Sequence, residues 1–97
     1  MPLAPLNLLT LNASMQSPEA PHTISAAIAE ALGRPVSESQ VLQAFRELQS
    51  LGLVQEHARG PHQLPNDVWF MATRAGQAAL ERDWELVFPS TEGWRET

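Results

Sequence analysis

Three polar side chains, spaced three residues apart, form the first group in this sequence that could do chemistry: Gln40, Gln43 and Arg46. Residues three apart are neighbours on a helix surface, so a helix would present them together. A glutamine amide pairs with an adenine edge, and a guanidinium pairs with guanine or with a phosphate. Ser37 and Ser39 precede them and could hold a phosphate oxygen at the helix N-terminus. A helix that presents these residue types together could therefore contact both the base edges and the phosphates of duplex DNA.

The same side chains have an ordinary alternative role, as the solvated outer face of a helix that packs on a core. Glu38 fits that role because a carboxylate in the first turn suits the helix dipole, whereas beside DNA it would lie close to phosphate. Affinity for DNA comes chiefly from neutralised phosphates, so the arrangement of the arginines decides between the two interpretations.

The chain is acidic overall, with a net charge of −5, six arginines and no lysine, but the charge is unevenly spread. Residues 34–74 are neutral, and residues 75–97 carry a net charge of −3. Four arginines lie in the neutral segment: Arg34, Arg46, Arg59 and Arg74. If they converge on one side of the fold, they can supply roughly three or four phosphate contacts per chain.

Other kinds of chemistry find little support. The absence of cysteine excludes disulfides and thiolate metal sites, and it favours a reducing, cytoplasmic location. His57 and His62 lie near Asp67, but no motif supplies a third metal ligand, so we predict turn histidines and no metal site. No nucleophile-base-acid set and no Gly-rich phosphate loop is present, so we predict neither an enzyme nor a cofactor. No run approaches the ~20 apolar residues of a membrane span, and the apolar N-terminus is expected to belong to the fold.

Helical periodicity predicts the elements that position the polar group. A first helix is expected from about Pro5 to Met15, followed by a proline-containing loop over residues 16–22. Thr23 is expected to cap a second helix, which Gly33 ends in a left-handed conformation. The third helix starts at a capping box formed by Ser37 and Gln40. Its expected buried stripe consists of Val41, Ala44, Phe45, Leu48 and Leu51, and Gly52 ends it.

The remainder of the chain predicts a β-hairpin and a fourth helix. Strands are expected over residues 53–57 and 67–72, around a Gly/Pro-rich loop. Thr73 is expected to cap a helix over about 74–88, before a polar tail over 89–97. Its expected apolar face consists of Ala75, Ala79, Leu80, Trp84 and Val87. We therefore predict one mainly α domain, with a helix-turn-helix over about 23–52 and a hairpin wing over about 53–72.

Three segments together carry a resemblance to a known fold family: IAEALG at 28–33, VSESQVLQAFRELQSLGLV at 36–54 and ATRAGQAAL at 72–80. They resemble the bacterial winged helix-turn-helix proteins, in the broad manner of the MarR and PadR groups. At the third segment, family members often show Leu-Thr, two residues and then Gly. The resemblance implies DNA binding, often as a dimer, and often transcriptional control. The positions that match the recognition helix are Ser37 to Arg46, and the wing matches about Ala58 to Asn66, including Arg59.

Apolar residues outside the expected core indicate a second surface. The first helix and the C-terminal segment carry more apolar area than one neighbour needs, which favours a homodimer or partner interface, with packing against the first helix as the ordinary alternative. The candidate interface residues are Leu6, Leu9, Trp69, Met71, Trp84, Phe88 and Trp94. Two functions follow: a dimeric DNA-binding transcriptional regulator, or an acidic winged-helix module that binds protein and not DNA.

Overall fold

The computed structural model describes residues 2–57 and 68–88 and shows helices packed around a short hairpin. The elements are α1 (Pro5–Ala13), α2 (Pro21–Leu32), α3 (Glu38–Ser50), β1 (Val54–Glu56), β2 (Phe70–Ala72) and α4 (Arg74–Val87). This is the predicted mainly α architecture, with a helix-turn-helix followed by a wing. Within the described ranges, no helix has the length and apolar character needed to cross a membrane.

The start of α2 corrects the expectation that Thr23 caps this helix. Proline lacks an N–H, so Pro21 fits the first helical position, and α2 begins there with Ala20 as N-cap. Thr23 lies inside the first turn, where its Oγ1 accepts the Ala20 N–H at 3.1 Å. At the other end, Gly33 adopts φ 71°, the predicted left-handed stop.

The third helix confirms its predicted capping box and most of its buried stripe. The Gln40 N–H donates to Ser37 Oγ at 3.2 Å, and the Ser37 N–H donates to Gln40 Oε1 at 2.9 Å. Phe45 is fully buried and stacks on Phe70 of β2, with ring centroids 4.4 Å apart. The stripe was wrong at Leu51, which is 60% exposed, because Gly52 at φ 76° turns the chain and Leu53 enters the core instead.

The wing is an antiparallel pair in which Val54 faces Ala72 and Glu56 faces Phe70. Both strands are shorter than predicted. A bridge that the sequence did not indicate joins Phe70 to Glu19, through backbone hydrogen bonds of 2.8 and 2.9 Å. The loop between the strands lies outside the described residues. The base of the wing is therefore tied to α3 through Phe45 and to the segment that precedes α2.

The fourth helix begins as predicted, but its buried face differs in part from the predicted one. The Thr73 hydroxyl accepts the Gly76 N–H at 3.1 Å and donates to the Gly52 carbonyl at 2.7 Å. The predicted Ala75 is exposed, and the buried positions are Gly76, Ala79 and Asp83. Glycine at position 76 allows this close packing, because a Cβ there would lie only 2.1 Å from the Leu53 carbonyl oxygen.

A buried carboxylate fixes the N-terminal segment against α4. Asp83 is 1% exposed, and its Oδ2 accepts the Leu3 backbone N–H at 2.9 Å. Arg82 donates to both of its carboxylate oxygens, at 2.7 and 3.1 Å. Because the Arg82 guanidinium and then the Leu3 N–H stabilise the charged form, the pKa of Asp83 falls from 3.8 to about 2.

Candidate nucleic-acid interface

The outer face of α3 is polar and exposed, as the sequence predicted. Four buried residues hold the opposite face on the core: Val41, Ala44, Phe45 and Leu48. The exposed side chains are Glu38, Ser39, Gln40, Gln43, Arg46 and Glu47. Helix α3 is therefore a rod fixed by its apolar side, and its polar side faces outward from the fold.

The side chains on this face differ in how freely they can contact another molecule. Ser37 and Gln40 bind each other through the capping box, so their polar atoms already serve the start of the helix. The side chains of Ser39 and Gln43 are exposed and form no hydrogen bond within the described ranges. Of the two candidate amides, Gln43 is therefore the one whose side chain is free of hydrogen bonds to the described residues and can pair with a base.

Arg46 is turned from α3 toward the wing. Its Nη1 donates to Glu56 Oε1 of β1 at 2.5 Å and to Gln49 Oε1 at 2.9 Å. Its guanidinium carbon lies 5.3 Å from the centre of the Phe70 ring, within the range of a cation–π contact. The hydrogen bonds from Arg46 and then from Gln49 lower the pKa of Glu56. The sequence placed Arg46 on the outer face but did not indicate Glu56 as its partner.

Carboxylates outnumber guanidinium groups around α3. Glu38 and Glu47 lie on the helix and Glu56 lies on β1, against Arg46 alone. Glu56 is paired with the cation of Arg46, whereas the described partner of Glu47 is a neutral amide: Asn7 Nδ2 donates to Glu47 Oε1 at 3.0 Å. These four ionised groups leave α3 and the start of the wing with a local charge of −2, so phosphate attraction must come largely from arginines elsewhere.

The other predicted cations lie on different elements. Arg34 is exposed directly after the Gly33 stop of α2, and Arg74 is exposed as the first residue of α4. Within residues 2–57 and 68–88, neither guanidinium forms an ion pair. Arg59 lies outside the described residues. The structure thus brings Ser37, Ser39, Gln40, Gln43 and Arg46 together on α3 and its cap, and it places Arg34 and Arg74 at helix ends.

A shallow cleft of about 350 Å³ opens beside the first turns of α3. Its lining residues are Pro21, His22, Glu38, Ser39, Leu42, Arg46 and Val68. The N-terminal turns of α2 and α3 therefore border the same depression. His22 was not among the predicted site residues; it lies in the first turn of α2, and its ring meets Trp69 edge-on with centroids 5.6 Å apart.

The described residues that were predicted for a dimer interface are all partly buried. Leu6 and Leu9 are partly buried and pack against the core. Trp69, Met71, Trp84 and Phe88 are also partly buried, and Trp84 and Phe88 form a ring pair with centroids 4.7 Å apart. Leu86, which was not predicted, is 65% exposed on α4. Trp94 lies outside the described residues.

Comparison with known proteins identifies the fold. A PadR-family transcriptional regulator from Eggerthella lenta has a TM-score of 0.66 and 21% identity, over 95% of this chain and 82% of its own. A transcriptional regulator from Clostridium thermocellum has a TM-score of 0.67 and 17% identity, over 84% and 81%. No family model and no curated protein sequence matches this chain.

A third solved structure is PadR of Bacillus subtilis in complex with operator DNA, with a TM-score of 0.65 and 18% identity. It matches 81% of this chain, which spans 45% of the PadR chain. All three structures share the arrangement of helices and hairpin described above, at identities that establish architecture alone. The chain therefore has the winged helix-turn-helix fold, the architecture of PadR-family regulators, as the sequence predicted.

Proposed function

We propose that this protein is a small winged-helix DNA-binding protein and a transcriptional regulator, which contacts duplex DNA through α3 and the wing. The observation that carries the proposal is the exposed polar face of α3, fixed on the core by Phe45 and Leu48 and presenting Gln43. The helix-turn-helix geometry places such a second helix in the major groove. The same fold in PadR of Bacillus subtilis, solved with operator DNA, adds support.

The expected division of labour follows from the side chains. Gln43 and Ser39 are the candidates for contact with base edges, because neither side chain forms a hydrogen bond within the described residues. The Gln43 amide can pair with adenine, and a serine hydroxyl can pair with more than one base. Arg34, Arg46 and Arg74 are the candidate phosphate contacts, together with Arg59 in the wing. We also propose a cytoplasmic location, which the absence of cysteine predicts. The proposal includes no catalytic role.

A homodimer is part of the proposal. The partly buried ring pair of Trp84 and Phe88 and the exposed Leu86 place apolar surface on α4. Apolar patches of this kind commonly mark contacts between chains. Light scattering of the purified chain measures the oligomeric state directly, and a monomer at micromolar concentration would exclude the dimer.

The test is a titration of the chain into a labelled pool of random 30-base-pair duplexes at two salt concentrations. We expect binding that weakens steeply with salt, with a log-log slope of about −3 per chain if three or four phosphates are contacted. Arg46→Gln should lower affinity for every sequence in the pool, and Gln43→Ala should change which sequences are selected.

Arg82→Gln is the matched control, because Arg82 lies in the C-terminal half of α4 and is not among the candidate DNA contacts. It makes the same change of charge and should leave duplex binding nearly unchanged. Equal losses for Arg82→Gln and Arg46→Gln would show a general charge effect and not a site on α3. No duplex binding at low salt would refute the proposed function. If a pull-down then recovered a specific protein partner, that result would favour the protein-binding module. The solved structures named above do not favour this alternative.

A further inference from the structure

The partner of Arg46 is a carboxylate of the wing, and this pairing changes what the arginine can offer a ligand. The Arg46 side chain is 46% exposed and the Glu56 side chain 52% exposed, so the pair lies at the surface between α3 and β1. Gln49 binds both members, at 2.9 Å from Arg46 and 3.4 Å from Glu56. An exposed, bridged pair of this kind is open to exchange with another anion.

We propose that Glu56 is an internal competitor for phosphate, which holds Arg46 in reserve and limits the affinity of the α3 face for DNA of any sequence. The inference rests on the proposed function. A carboxylate and a phosphate oxygen both accept hydrogen bonds from a guanidinium in the same planar geometry. Binding a phosphate at Arg46 therefore requires Glu56 to release the guanidinium.

The surroundings of the pair favour exchange over collapse of the site. The Arg46 guanidinium also lies over the Phe70 ring, whose stacking on Phe45 fixes it in the core. Arg46 therefore retains one of its contacts when the carboxylate leaves. Exposed ion pairs are weak, so a phosphate can displace Glu56 from Arg46. Breaking the Arg46–Glu56 pair offsets part of the free energy gained from the new contact between Arg46 and the phosphate.

Glu56→Gln isolates this effect, because glutamine keeps an acceptor for Arg46 but removes the charge. We expect affinity for the random 30-base-pair duplex pool to rise about fivefold at low salt, the upper range for release of one exposed ion pair. The slope of log affinity against log salt should steepen by no more than about 0.9 for each bound chain, because Arg46 then neutralises a phosphate in every complex instead of in a fraction of them.

Glu47→Gln is the matched control. Glu47 is exposed on the same face and its described partner is Asn7, so the substitution makes the same change of net charge without releasing an arginine. Its gain should be several times smaller than that of Glu56→Gln. In the double variant Arg46→Gln/Glu56→Gln, the gain in affinity and the steeper slope should both disappear. Thermal unfolding followed by circular dichroism confirms that each variant is folded.

The possible results separate the inference from the function on which it rests. If the native chain binds duplex and Glu56→Gln binds more tightly by way of Arg46, the inference is supported. It is overturned if Glu56→Gln and Glu47→Gln gain equally, if the gain survives without Arg46, or if Glu56→Gln binds more weakly, which would make Glu56 a positioning residue. If neither the native chain nor any variant binds duplex, the proposed function fails and the inference fails with it.

Discussion

Replacing Gly76 with alanine should strongly destabilise the protein, although alanine is the better helix former. A Cβ at position 76 would lie 2.1 Å from the Leu53 carbonyl oxygen, 3.1 Å from its carbonyl carbon and 3.0 Å from Leu11 Cδ1. The Leu53 carbonyl cannot turn away freely, because it accepts the Thr73 N–H at 2.9 Å. Relief therefore requires α4 to move away from the turn that follows α3.

The expected cost is the balance of three effects. Overpacking a tight contact costs up to about 3 kcal/mol, and distortion of the Leu53–Thr73 hydrogen bond costs about 1 kcal/mol. The better helix propensity of alanine recovers about 1 kcal/mol. We expect Gly76→Ala to lower the free energy of unfolding by about 3 kcal/mol, which for a domain of this size lowers Tm by about 12 °C or more.

The assay is urea unfolding followed by circular dichroism, with Ala78→Gly as the control on the same helix. Ala78 is exposed, so its replacement should cost only the propensity difference of about 1 kcal/mol. If Gly76→Ala unfolds within about 0.5 kcal/mol of the native chain, or is more stable, the close approach of α4 to Leu53 is not the reason for glycine at this position.

Three further predictions concern single polar groups. Thr10 is fully buried on α1, and its Oγ1 has no hydrogen-bond partner among the described residues, so Thr10→Val should raise the free energy of unfolding by about 1 kcal/mol; a loss measured by urea unfolding would contradict this. Ser37→Ala removes the α3 cap and should lower stability by about 1 kcal/mol, whereas Ser39→Ala should change it little, and equal effects in the same assay would refute the cap assignment. Because folding lowers the pKa of Asp83, its carboxylate stabilises the fold above pH ~4 and loses this effect as pH falls toward 2. Asp83→Asn should flatten that part of the curve of Tm against pH, and an unchanged curve would show that the carboxylate is not the source.

The elements that the sequence predicted correctly are those with strong local signals. The Ser37–Gln40 capping box, the left-handed Gly33 and the Thr73 cap each depend on residues within four positions of one another. Local hydrogen bonds of this kind form in almost any fold that contains the helix. The start of α2 was misplaced because Thr23 and Pro21 are both acceptable helix-start signals, and only the packing of the preceding segment distinguishes them.

The errors of burial have tertiary causes. Ala75 and Gly76 are both small, so the apolar pattern of α4 did not show which of the two is buried. Gly76 is buried because α4 closely approaches Leu53, a residue more than twenty positions away. Asp83 was counted among the acidic residues of the C-terminal segment, but the Leu3 N–H and Arg82 allow it to be buried.

The candidate site shows the same division between local and tertiary information. Helical spacing placed Gln43 and Arg46 on an exposed face, and that prediction is confirmed. The orientation of the Arg46 guanidinium was not predictable, because it depends on Glu56 in a strand ten residues away and on a ring carried by β2. Counting arginines in the sequence therefore did not show that the cation on α3 is paired with a carboxylate of the wing.

The local charge of −2 around α3 leads to a specific way in which an acidic chain of this fold can bind DNA. Charges that are separated by more than about 10 Å are largely screened at 0.1 M salt, so the acidity of the C-terminal segment matters less than the groups beside the ligand. Beside α3, the carboxylates of Glu38 and Glu47 weaken phosphate attraction to any sequence equally, whereas Gln43 pairs only with a matching base edge. The carboxylates on this face therefore lower the affinity for nonspecific DNA more than they lower the ability to distinguish one base sequence from another. On the proposed function, the acidic residues around α3 therefore favour selective over tight binding, and the Arg46–Glu56 pair is the point at which that balance can be altered by a single substitution.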